Sequence, residues 1–206
     1  MTSPHPTTPP ASAPAMTTYV SFSGPINQMS MQLLISQVTG LLGQGVTDLH
    51  LLMSTPGGEV MSGIALYNTL MGLPMHLTTH NVGNVDSIGT AVFLAGERRL
   101  ACSQATFMFH GVGFATNGPQ QFQERRLLEH LESLRADQGR INAILQERTK
   151  LTAEDCERLT LQQQTKDASY AAAHGIAHRV EPVRIPPGAR VVSVVVPVQA
   201  ISGAPG

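Results

Sequence analysis

Charge is scarce in this 206-residue chain: Asp, Glu, Lys and Arg make up 13% of it, and the formal net charge is −1. Nothing in that balance suggests a nucleic acid or an anionic membrane, so neither is expected as a partner. It leaves room for part of the surface to be covered by copies of the same chain. Trp is absent and aromatics reach only 4%, so the core must come from Leu, Val, Ile, Ala and nine Met. Cys102 and Cys156 form neither a CxxC pair nor a disulfide framework. They are read as small packed groups in a reducing compartment. The eight histidines have no metal-ligand spacing, so no metal is expected and no cofactor is called for. No run approaches the roughly 18 apolar residues of a membrane span. Residues 1–16, rich in Pro, Thr, Ser and Ala, lack the basic start and apolar run of a secretory signal. The expectation is a soluble, cytoplasmic protein with a disordered tail over 1–16.

What is present is an alternation of strand and helix patterns. Strands are predicted over 18–23, 46–54, 75–81, 98–102, 105–110 and 176–180, and an apolar run over 191–196 reads as an edge strand. Helices are predicted from the N-cap Asn27 to residue 42, over 60–71, from Ser87 to Gly96, after the N-cap Thr152, and over 168–174. Residues 82–86 read as a turn. A helix over about 120–148 carries Leu127, Leu131, Leu134, Ile141 and Leu145 on one stripe, with Gln138 interrupting it. It would measure on the order of 40 Å, so it either projects onto another subunit or is a core helix with a solvated end. Strands alternating with such helices indicate an α/β domain of right-handed units.

Three short segments hold the parts of an acyl-transfer site. The run Ser54-Thr55-Pro56-Gly57-Gly58 reads either as an ordinary strand-to-helix turn or as a source of the Gly58 N–H for a substrate carbonyl. Ser87 is either a helix N-cap or a nucleophile whose oxyanion the Ile88 and Gly58 N–H groups would hold. His110 is either a structural histidine at a strand end or the base that takes the Ser87 proton.

In order and spacing, Ser54-Thr55-Pro56-Gly57-Gly58, Asp86-Ser87-Ile88-Gly89 and Phe107-Met108-Phe109-His110 resemble the proteolytic subunit of Clp protease (ClpP). That family carries a Ser-Pro-Gly-Gly turn, an Ala-Ser-Met-Gly nucleophile and a Met-Ile-His base. The likeness spans roughly residues 19–180 and includes the long helix, similar to the family's ring-to-ring handle. The resemblance implies an α/β, ClpP/crotonase-like spiral of ββα units with a projecting long helix. It implies a domain over 17–183, followed by an extension over 184–206. It further implies a serine endopeptidase acting on unfolded or short peptides, with Ser87 and His110 catalytic. Gly58 and Ile88 would form the oxyanion hole, while Gly57, Gly111, Val112 and Gly113 would lie beside the substrate. The implied partners are further copies in a ring or stacked rings and an AAA+ ATPase unfoldase. The family's third catalytic member is an Asp. Counting back from Gly175 puts Gln163 at that position, and Asp167 is the nearest carboxylate. The family's Gln-Pro after the histidine is Gly111-Val112 here.

Three other readings compete. A Ser/Lys hydrolase similar to signal-peptide peptidases would have to use Lys150 or Lys166. An acyl-coenzyme A crotonase would want a carboxylate such as Glu59. A catalytically weak or inactive Clp-like subunit would assemble and bind peptides without cutting them.

Overall fold

The computed structural model describes residues 17–113 and 123–195. The tail expected over 1–16, residues 114–118 of the segment after His110, the expected helix start at residue 120 and everything from residue 196 lie outside the described residues.

Strands β1 (Thr17–Ser23), β2 (Asp48–Thr55) and β3 (His76–Asp86) lie side by side and parallel. Helices α1 (Gln28–Gly43) and α2 (Val60–Met71) carry the chain from one to the next. The register lines up Val20, Leu51 and Thr79 across the sheet, and likewise Phe22, Met53 and Asn81. All six are buried. Leu34, Val38 and Leu41 of α1 and Leu66 and Leu70 of α2 join the same core. Each such side chain gains roughly 1.5–3 kcal/mol on leaving water. That burial fixes α1, whose start is set by a reciprocal pair: Asn27 Oδ1 accepts from the Ser30 N–H and Ser30 Oγ from the Asn27 N–H, both at 2.9 Å.

Beyond β3 the sheet forks. The first half of β3 pairs with β4 (Arg98–Ala101), and its last residues pair with β5 (Thr106–Met108). Helix α3 (Ile88–Phe93) leaves β3 and is wholly buried. Helix α4 (Glu124–Arg148) follows, then α5 (Ala153–Leu161), β6 (Thr165–Asp167), α6 (Ala168–Ala173), β7 (Arg179–Val180) and β8 (Arg190–Val195). Strand β6 runs antiparallel beside β5, β7 parallel beside β4, and β8 parallel along the outer side of β1. Arg99 ties three helix ends together: its guanidinium donates to the carbonyls of Gly96, Arg148, Gly175 and Ile176. Burial lowers its pKa to about 10.

The face of the sheet turned away from α1 and α2 carries Tyr19, His50 and His80. Their rings stack, Tyr19 on His50 at 4.8 Å and His50 on His80 at 5.4 Å between centroids. The chain between β7 and β8 crosses this face: the Glu181 carbonyl accepts from His80 Nε2 at 3.0 Å, and the Arg184 carbonyl from the Tyr19 hydroxyl at 3.2 Å.

Two sequence expectations change, one strand goes unexpected, and one open alternative closes. Residues 82–86 are strand rather than turn. The strand expected over 176–180 shrinks to Arg179–Val180, because the N–H groups of Ile176 and Ala177 turn back to the Ala171 carbonyl. Strand β6 was not anticipated, since Thr165-Lys166-Asp167 has no apolar alternation to reveal it. In α4 only Ile144 and Leu145 are buried, and Leu127 and Leu131 are 46% and 41% exposed, so the apolar stripe runs outward onto a projecting end.

Candidate active site

The end of β3, where the sequence predicts a turn, delivers Ser87. Met53 pairs with Asn81 and Thr55 with Val85, so β3 spends two more residues than β2 over the same stretch. This bulge is closed by side chains in place of the missing ladder bonds. Asn81 Nδ2 donates to the Thr106 carbonyl at 2.8 Å, and its Oδ1 accepts from the Gly83 N–H at 3.1 Å. Asn84 Oδ1 accepts from Ser54 Oγ at 2.9 Å, and its Nδ2 donates to the Thr55 carbonyl and to Asp86 Oδ2 at 3.1 and 2.6 Å.

Ser87 follows the bulged strand at φ 56°, ψ −129°, a conformation costing about 1–3 kcal/mol for a residue with a Cβ. Its N–H is anchored on the Met108 carbonyl at 2.7 Å. Its hydroxyl makes no capping bond to α3. The capping alternative is therefore not what Ser87 does, and its side chain lines a cavity instead.

The Pro56-Gly57-Gly58 turn lies directly against that serine. Ile26 donates to the Gly57 carbonyl and accepts from the Glu59 N–H, each at 2.8 Å. By the alternation of a parallel pair, Gly58 then turns its own N–H away from Ile26. A Cβ on Gly58, at φ 149°, would stand 2.0 Å from the Ile26 carbonyl oxygen, and one on Gly57 would stand 2.7 Å from Ser87 Cβ. Thr55 Oγ1 takes the Gly57 N–H at 3.1 Å. Among the described residues the N–H groups of Gly58 and Ile88 have no acceptor. Ile88 opens α3, where an N–H has no intrahelical partner.

His110 follows β5 and is half-buried. Its Nδ1 lies 2.7 Å from the Gly111 carbonyl oxygen. A carbonyl can only accept, so Nδ1 carries the proton and Nε2 of the neutral ring keeps its lone pair. No hydrogen bond joins Ser87 Oγ to the ring in this structure, but both residues line one cavity of about 80 Å³ with Gly58, Val112 and Gly113. A wider groove of about 460 Å³ continues from it, sharing Gly58, Val60, Val112 and Gly113.

The β5–β6 register bears on Gln163 and Asp167, the two candidates for a third member of the site. Thr106 pairs with Asp167 and Met108 with Thr165, and the Phe109 N–H extends the ladder to the Gln164 carbonyl at 2.9 Å. One step further, Gln163 falls opposite His110. Gln163 is exposed and turns the chain at φ 48°. Asp167 sits at the far end of the ladder and caps α6, accepting from the Tyr170 N–H at 2.7 Å. Neither lysine lines the cavity. Lys166 lies over the Tyr170 ring, 4.6 Å from its centroid.

Sequence reasoning missed Asn81, Asn84, Thr90 and Thr160. The two asparagines flanking Val82-Gly83 were a legible signal, since Asn and Gly together mark places where side chains replace ladder bonds. Thr90 and Thr160 line the cavity from α3 and α5 with no sequence signal of their own.

The parts assembled here come from β2, β3, α3, β5 and α4, so the relationship to known proteins has to hold over the whole domain and not over one motif. It does: the family model for Clp protease matches residues 12–184. Among the described residues no helix is long and apolar enough to cross a membrane. A continuous match of that extent, over this mixed α/β fold, means that the chain belongs to the Clp protease family, a family of peptidases.

Proposed function

We propose that the protein is a serine endopeptidase that cuts unfolded or short peptides within a ring of its own copies. The observation that carries the reading is the meeting of Ser87, His110 and the Gly58 turn around one cavity. Ser87 Oγ attacks the peptide carbonyl carbon and passes its proton to His110 Nε2. The oxyanion is held by the N–H groups of Gly58 and Ile88, both without another acceptor. The C–N bond breaks as His110 returns the proton to the leaving amine, and water then releases the acyl group by the same route in reverse. Gly57, Gly111, Val112 and Gly113 flank the groove in which an extended peptide would lie, and the peptidase domain spans 17–183.

The Gly111 carbonyl supports the imidazole where the family's carboxylate would. Gln163 is the nearer of the two candidate third members by register, and Asp167 is engaged at α6. This missing carboxylate favours one second reading, a Clp-like subunit that assembles and binds peptides but hydrolyses them weakly or not at all. Docking of an AAA+ ATPase unfoldase belongs to either reading.

Hydrolysis of a fluorogenic peptide by the assembled protein separates them. The endopeptidase reading expects turnover that Ser87→Ala abolishes and His110→Ala lowers at least about a hundredfold. Turnover absent in the wild type, with peptide binding retained, would favour the second reading.

A further inference from the structure

We infer that Gln138 is a positioning residue for His110, acting through the peptide group that joins Gly111 to Val112. The inference rests on the Ser87–His110 reading. Gln138 is the polar break in the apolar stripe of α4, and it lines the cavity that holds Ser87 and His110. A half-buried amide at such a place is costly unless bonded, and both of its ends are used. Its Oε1 accepts from the Val112 N–H at 3.1 Å, and its Nε2 donates to Asn142 Oδ1 at 2.9 Å.

The Gly111 carbonyl and the Val112 N–H belong to one planar peptide unit and point in opposite directions. The carbonyl end takes the proton of His110 Nδ1 at 2.7 Å, and the N–H end is held by Gln138. Glycine on one side leaves this plane free to rotate, so the bond from α4 decides where the carbonyl points. Through that plane Gln138 keeps the His110 proton on Nδ1 and the lone pair of Nε2 available. The work usually done by a carboxylate is here done by a main-chain carbonyl fixed by a side chain from the projecting helix.

The test compares the wild type with Gln138→Met, which keeps volume and helix propensity but removes the acceptor, and with Gln138→Glu, which keeps an acceptor for the Val112 N–H. The readouts are the rate of covalent labelling by a fluorophosphonate probe and the ¹⁵N solid-state spectrum of histidine-labelled protein at pH 8. His110 is assigned in that spectrum by difference against His110→Gln. Labelling by the Met variant is expected to fall at least about tenfold, with its Nδ1–H signal averaged between tautomers, while the Glu variant labels faster than the Met variant and keeps the Nδ1–H signal. Equal labelling of wild type and Met variant would overturn the inference and leave the Ser87–His110 reading standing. No labelling of any form would instead defeat that reading. The spectra then decide the tether: an unchanged Nδ1–H signal in the Met variant overturns it, and its loss sustains it. Should the Met variant fail to fold, Val112→Pro removes the donor from the other side, and the same two outcomes apply.

Discussion

At Gly58 a single hydrogen decides whether the site can exist. Its positive φ and the 2.0 Å separation between a would-be Cβ and the Ile26 carbonyl leave no room for a side chain. Gly58→Ala must push Ile26 away, and the strain is worth about 1–3 kcal/mol. A fall of several degrees in the thermal midpoint and loss of peptidase activity are expected, measured by scanning calorimetry and peptide hydrolysis. An unchanged midpoint would contradict the geometry. Gly57→Ala should act differently, because its Cβ would press on Ser87 Cβ, a side chain at the site, and on the Asp86 carbonyl. Activity should be lost in larger proportion than stability. The sequence alone left Ser87 open between cap and nucleophile, because Ser suits both. Its φ of 56° and the absence of a capping bond from its hydroxyl speak against the cap, and backbone dihedrals at a single residue are not written in composition or period.

Among the elements, strands and helices with strong periodicity were legible and the departures from period were not. α1, with its Asn27 cap, and α2 stand where their apolar spacing put them. β3 is different. Its last residues pair with β5 beyond a bulge in which β3 spends two more residues than β2, and those extra residues read as a turn in the sequence. β6 escaped notice because it is held by the β5 ladder and not by apolar burial. The face opposite the helices makes a further prediction. Burial, then the nearby His80, lowers the His50 pKa from 6.5 to about 4, and burial also lowers that of His80. Folding thus favours the neutral rings. Their contribution is complete above pH 6.5 and is lost as pH falls from there towards 4, where the unfolded chain binds the extra protons. Urea midpoints should therefore fall between pH 7 and pH 4.5, and His50→Gln should flatten that slope. A midpoint indifferent to pH in both forms would count against the stacked pair. The exposed His76 beside Glu97 titrates in the opposite sense, and solvent screens it.

For the whole molecule, the projecting half of α4 is the feature that a single chain does not explain. Leu127, Leu128 and Leu131 are 46%, 54% and 41% exposed, and all lie on the half of α4 away from its buried end. Contiguous apolar surface of this kind on a chain with so little charge fits burial against other copies. Light scattering after gel filtration should give a mass of several chains, which Leu128→Glu with Leu131→Glu reduces. A monomer from the unaltered chain would remove the ring from the account. Assembly and catalysis can fail separately, so the central claim is best tested at the nucleophile itself. The direct measurement is mass-spectrometric mapping of the adduct left by a fluorophosphonate on the assembled protein. The account predicts one phosphonyl group per chain, on the peptide containing Ser87, and none after His110→Ala within the same labelling time. An adduct on another residue, or a wild-type protein that stays unmodified while folded and assembled, would contradict it.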